Sequence, residues 1–104
     1  MKFELVEFYP ITDKNRGNLK KNALGTVHLY VIDCDLDIRG IRVTKHGNTL
    51  HFHLPHCIGF DHETGEKIKY PIVRWTSQSK HDELMDFLHQ QVKPVILDRI
   101  TVRK

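Results

Sequence analysis

The chain has 104 residues, 39% hydrophobic and 28% charged, with a formal net charge of +3 and a pI of about 9.0. This is the length and composition of one ordinary globular domain. No apolar run nears the roughly 20 residues of a membrane helix, and the acids within Met1–Glu7 exclude the apolar stretch of a secretion signal.

The elements read as follows in chain order. Phe3–Phe8 is apolar enough for a first strand, stopped by Pro10. Thr12–Asn22 is a polar loop of turn formers (Asp13, Asn15, Gly17, Asn18, Asn22) that carries Lys14, Arg16, Lys20 and Lys21. Gly25–Asp33 is the clearest strand, with Val27, Leu29 and Val31 pointing one way and His28, Tyr30 and Ile32 the other. An Asp33-Cys34-Asp35 turn leads to a third strand, Leu36–Thr44, in which Ile41 and Val43 face the core, Arg42 faces out and Gly40 marks a bulge. A turn at His46-Gly47-Asn48 leads into Thr49–Leu54, where Leu50, Phe52 and Leu54 share the core face and His51 and His53 the opposite one.

The segment 56–69 is expected to be an extended hairpin with its tip at Glu63-Thr64-Gly65-Glu66, and Pro71–Trp75 a short strand. Thr76–Ser79 supplies N-caps, with Ser79 and Asp82 or Glu83 resembling a capping box. The helix that follows is predicted to run to about Val92 and stop before Pro94, with Leu84, Met85, Phe87, Leu88 and Val92 as its apolar stripe and Asp82, Glu83 and Asp86 on the far side. Val95–Val102 reads as a final strand, with a short helix as the alternative. The fold class is therefore α+β: a small, mostly meander antiparallel sheet with one helix from the C-terminal half packed on it, in a single domain over 1–104.

The runs Leu24–Val31, Leu36–Val43 and Leu50–Pro55, followed by Tyr70-Pro71-Ile72 and a polar lead into the helix, resemble the sporulation stage V protein G (SpoVG, septation regulator) family. The similarity covers about residues 5–92 and leaves 93–104 as a divergent C-terminal extension. It rests on an Ile-Arg-Val strand, a strand ending in proline, a loop of about fifteen residues and a Pro-Ile before the helix. The resemblance implies a dimeric α+β bacterial regulator that binds DNA or RNA and has no enzymatic activity. The chain departs from the family's pattern after Pro55. A basic Ser-Lys-Arg-like step is replaced by His56-Cys57-Ile58.

Several constellations invite chemistry. His51 and His53, with His56, His62, Cys57 and His28, are zinc-type ligands. Two histidines about 7 Å apart on one strand face lack a second spaced pair, so a half-exposed polar face is the reading and no metal is assigned. Asp33, Asp35 and Asp37 alternate like a calcium loop, but Ile38 and Thr44 occupy the positions that need Gly and Glu. Cys57 and His56 are neighbours on an extended chain and point apart, which argues against a nucleophilic pair. Cys34 and Cys57, without a CxxC pattern, fit free thiols in a reducing cytoplasm.

The charge is uneven: residues 10–50 carry seven Lys/Arg against four Asp, whereas residues 51–104 carry eight against seven Asp/Glu. Lys14, Arg16, Lys20, Lys21, Arg39, Arg42, Lys45, Lys67, Lys69 and Arg74 are the candidate nucleic-acid contacts, with Tyr30 available to stack a base. The acidic exposed face makes the helix a poor reading helix, but its N-terminus near Ser77, Ser79 and Lys80 is a secondary phosphate candidate. Trp75 is read as a core or dimer anchor.

The expected function is a cytoplasmic, homodimeric, nucleic-acid-binding regulator without catalysis, cofactor or membrane partner. A protein-interaction or structural module on the same fold is the alternative, and a histidine-based metal-binding protein a lesser one.

Overall fold

The computed structural model describes residues 1–12, 17 and 22–102. It is α+β. Strands β1 (Phe3–Pro10), β2 (Ala23–Val31), β3 (Leu36–His46) and β4 (Thr49–His53) form an antiparallel meander in the order β1-β2-β3-β4. Strands β5 (His56–Phe60) and β6 (Lys67–Pro71) form a separate hairpin. Helix α1 (Gln78–Phe87) continues through a wide turn (Leu88–Val92) into α2 (Lys93–Val102). Among the described residues no helix is long and apolar enough to cross a membrane.

The core lies between one sheet face and the helix. Alternation turns Val27, Leu29 and Val31 inward from β2, Ile38, Ile41 and Val43 from β3, and Leu50 and Phe52 from β4. A 3₁₀ turn at Ile32–Cys34 ends β2, and a two-residue turn, Gly47-Asn48, joins β3 to β4. Two register shifts fall at His28. On one side β1 inserts Val6 between the pairs Leu5↔Leu29 and Glu7↔His28. On the other, Arg39 and Gly40 of β3 face the single residue His28, and Gly40 takes φ +78°. This is the bulge that Gly40 marks in the sequence. It re-phases β3, so that Ile38 and Ile41 both face inward, three residues apart. It also covers His28, which is only 7% exposed although its strand position points away from the core.

The C-terminal segment differs from the sequence expectation: Val95–Val102 is helix, not strand, and Pro94 does not end the helix. A proline lacks the N–H for the bond to the carbonyl four residues back, and its ring clashes with that carbonyl. Here the turn before it is widened, and the Lys93 N–H donates to the Leu88 carbonyl five residues back. A π-type turn of this kind relieves the clash and lets the helix continue. Leu84, Leu88, Val92 and Ile96 are then all fully buried. Arg99 clamps the far end onto β1, with Nη1 2.8 Å from Glu7 Oε1 and 2.7 Å from the Phe8 carbonyl.

Two further expectations are corrected. Pro71–Trp75 is no strand, because the β5–β6 ladder ends at the His56↔Pro71 pair and the chain then crosses toward the helix. The capping box on Ser79 does not form: the helix begins at Gln78, and the Ser79 hydroxyl pairs with Ser77 Oγ at 2.8 Å.

Gly25 is the tightest backbone approach, since a Cβ there would lie 2.3 Å from the Tyr9 carbonyl oxygen and 2.9 Å from the Phe8 ring. Neither neighbour moves without opening the β1–β2 ladder. Gly25→Ala is expected to cost about 3 kcal/mol or more in urea unfolding. Gly65→Ala, whose Cβ would meet open space, is expected to cost about 1 kcal/mol. Equal costs would show that the β1–β2 approach is not the constraint.

Candidate functional site

The solvent face of the meander is divided by charge. Toward the β2–β3 turn it is acidic. Glu4 pairs across to Tyr30 and Tyr30 to Asp37, and the Tyr30 hydroxyl donates to Asp35 Oδ1. That bond, reinforced by the surrounding carboxylates, holds the Tyr30 phenol above its ordinary pKa. Tyr30, the residue read as able to stack a base, therefore sits among carboxylates with its hydroxyl tied to Asp35. His28 Nε2 lies 3.2 Å from Asp37 Oδ1 but off the line of a hydrogen bond, so this buried nitrogen is unpaired.

Toward β4 the same face is basic. Thr26 faces Arg42, and Arg42 faces His53. His53 Nε2 is 3.0 Å from Thr44 Oγ1. The His51 ring meets His46 edge-on, with centroids 4.7 Å apart, and lies nearly parallel to His53 at 6.5 Å. Beyond β4 the chain turns at Pro55 into the β5–β6 hairpin, and the backbone amide of Ile72 donates to the Pro55 carbonyl at 2.9 Å. That bond holds the start of β5 beside the end of β6. It leaves a cleft of about 400 Å³ between the β4 edge, the hairpin base and the first turn of α1.

Five cationic or titratable side chains line the cleft: His53, His56, Lys69, Arg74 and His81. Among the described residues no acidic side chain lines it, and the first turn of α1 carries none either. Phe52 and Met85 supply apolar floor. The size suits a nucleotide-scale ligand, and the charges of Lys69 and Arg74 beside an apolar floor focus a positive potential. Arg42 adjoins the cleft: its Nη2 is 3.5 Å from His56 Nε2, while His56 Nδ1 is 3.3 Å from the Leu54 carbonyl. A second depression of about 450 Å³ follows along Gly40, Arg42, His56 and Ile58.

The structure thus brings together Arg42, Lys69 and Arg74 from the sequence candidates. Arg39 lies on the acidic side, 3.9 Å from Asp37 Oδ2. Lys45 is at the far end of β3 opposite Leu50, and Lys67 is at the hairpin's outer end opposite Phe60. Lys14, Arg16, Lys20 and Lys21 lie outside the described residues. At the helix start Ser77 and Ser79 bond each other and leave His81 to reach the cleft. His53, His56 and His81 line the same cleft, a convergence that spacing alone does not indicate. Cys57 pairs across to Tyr70, on the strand face opposite His56. Among the described residues no group of three or more His, Cys, Asp or Glu side chains is placed to hold a metal ion. Trp75 is half-buried against the core, with its indole nitrogen unpaired.

Compared with known proteins, the chain matches no family model, no curated protein and no solved structure.

Partial burial, then the charges of Arg42 and Lys69 and the neighbouring His51 and His56, holds the His53 imidazole below its usual pKa. The native state therefore resists a proton that the unfolded chain accepts near pH 6.5. Stability is full above that pH and falls as pH drops toward the folded pKa. Between pH 7 and 5, above the range where Glu7 and Asp61 titrate, the urea midpoint should decline. The decline should be shallower in His53→Gln. An identical slope in the variant would show that His53 does not carry it.

Proposed function

We propose that the protein is a non-catalytic, cytoplasmic regulator that binds DNA or RNA by its phosphate backbone. The observation that carries this reading is the acid-free cleft lined by Lys69, Arg74, His53, His56 and His81, with Arg42 beside it. Phosphate contacts come mainly from Arg, Lys and polar side chains and carry little sequence information by themselves. Binding of this kind is expected to be weakly sequence-selective and strongly salt-dependent. The likeness to the septation-regulator family supports the same reading. Where that family has a basic pair after its strand-ending proline, this chain has His56, and Lys69 on the partner strand of the hairpin supplies cation to the same cleft. In this reading the acidic half of the sheet keeps nucleic acid off the β2–β3 end.

A second reading is favoured by the exposed apolar side chains of the hairpin. Ile68 and Tyr70 alternate onto one face of β6, and Tyr70 and, just past the strand, Ile72 are exposed. A two-stranded hairpin is marginally stable alone. This one is not paired with the meander, and the chain as a whole is extended: its radius of gyration, 15.1 Å, exceeds the ~13 Å of a compact chain of this length. We propose that this face is covered in a homodimer, and the same face would serve a protein-interaction module that binds no nucleic acid.

Two measurements separate the readings. Fluorescence anisotropy with labelled DNA and RNA oligonucleotides should show affinity that falls with salt. The joint change Lys69→Gln and Arg74→Gln should weaken binding for every sequence and reduce the log–log salt slope by about 2. Arg39→Gln should leave both unchanged. No binding at low salt would remove the first reading. In sedimentation velocity the wild type should be a dimer that Ile72→Asp dissociates, and a wild-type monomer at all concentrations would remove the second.

A further inference from the structure

The face of the hairpin opposite Tyr70 has a different composition. Strand alternation puts His56, Ile58 and Phe60 of β5 on it, and their cross-strand partners are Pro71, Lys69 and Lys67. Ile58 and Phe60 are 65% and 60% exposed, high for side chains of their size. Each large apolar group thus has a lysine directly across from it. This is a poor composition for a protein interface, whose buried core is depleted of lysine. It suits single-stranded nucleic acid, where an aromatic ring stacks on a base while flanking cations hold the phosphates.

We propose that this face is a base-stacking platform for single-stranded DNA or RNA, with Phe60 taking a base and Lys67 and Lys69 the adjoining phosphates. The inference rests on the phosphate-binding reading of the cleft and extends it, because Lys69 and His56 belong to both surfaces. A strand stacked on Phe60 would run along β5 for ~13 Å, four residue rises, and enter the cleft at His56. Beyond Phe60 the polarity reverses. Asp61 accepts the amides of Glu63 and Thr64 at 2.7 Å and 2.9 Å, and Glu63 and Glu66 are exposed at the tip. Those carboxylates end the path at Phe60. The platform is stiffened from behind: the Tyr70 ring lies so close over Gly59 that a Cβ there would be 2.6 Å from it. A duplex hides its base faces, so Phe60 has nothing to stack on within one. Such a ring distinguishes single strands from duplex without reading their sequence.

The test uses a labelled oligothymidine and a duplex of equal length, titrated at low salt against the full chain and two variants. Phe60→Ala should weaken single-strand binding about tenfold or more and leave duplex binding unchanged. Phe60→Trp should retain single-strand binding, and its fluorescence should be quenched by the oligonucleotide beyond any change of Trp75 in the wild type. An unchanged urea midpoint for both variants would confirm that the fold is intact. Equal single-strand affinity of Phe60→Ala and wild type, or quenching equal with duplex and single strand, would overturn the proposal while leaving the cleft reading in place. Dissociation of a dimer by Phe60→Ala would also overturn it and assign the face to a protein partner. Failure of the wild type to bind either oligonucleotide would instead overturn the cleft reading, and the platform with it.

Discussion

The fold depends on one apolar seam, the row Leu84, Leu88, Val92, Ile96 and Ile100 along the C-terminal helix. The first four are fully buried against the sheet and Ile100 packs against them. These residues recur every four positions. On a regular α-helix, with 3.6 residues per turn, such a row drifts about 40° per step and would wind off the sheet within a few turns. The wide turn at Leu88–Val92 takes up that drift. It also lies immediately ahead of Pro94, where a regular ladder cannot continue. One local distortion thus meets two constraints: it keeps the seam on the core and carries the helix past a proline. The cost of widening the turn is set against full burial of Ile96, worth about 1.5–3 kcal/mol, and partial burial of Ile100.

The seam also positions the site. With the inner face of the sheet occupied by the helix, the outer face, the β4 edge and the hairpin are the surfaces left to solvent. The paired bulges around His28 twist the meander and separate its acidic end from its basic end. The first turn of the helix then carries His81 to the β4 edge, and the Ile72–Pro55 bond brings the hairpin base alongside. The cleft is a product of three elements meeting. None of them supplies more than two of its five cationic or titratable groups.

Much of the fold was legible because it rests on local periodicity. Alternation located the four meander strands to within a few residues, and Gly40 marked its bulge. In the C-terminal segment two local signals conflict: Pro94 favours a stop and a following strand, whereas the apolar pattern favours the helix that forms. The four-residue spacing that runs from Leu84 through Ile100 was visible and was the stronger signal. The capping box failed for a related reason: Ser77 was an equally good start, and a bond between two hydroxyls removed Ser79 from the cap. The basic residues were legible as a set but not as a site. Arg39 and Arg42 are three residues apart on one strand, yet the bulge leaves one beside Asp37 and the other beside His56.

By itself the sequence determined the α+β class, most of the inward residues of β2, β3 and β4 and the presence of a second hairpin. These follow from hydrophobic period and turn chemistry, which act over a few residues at a time. Only the tertiary structure decided which cations share a surface. Lys69, Arg74 and His81 line one cleft with His53 although they lie 16 to 28 positions from it in sequence, and nothing in local spacing encodes that approach. Tertiary packing likewise decided that Pro94 lies inside a helix, because burial of the residues beyond it outweighs the local preference of the proline to end one.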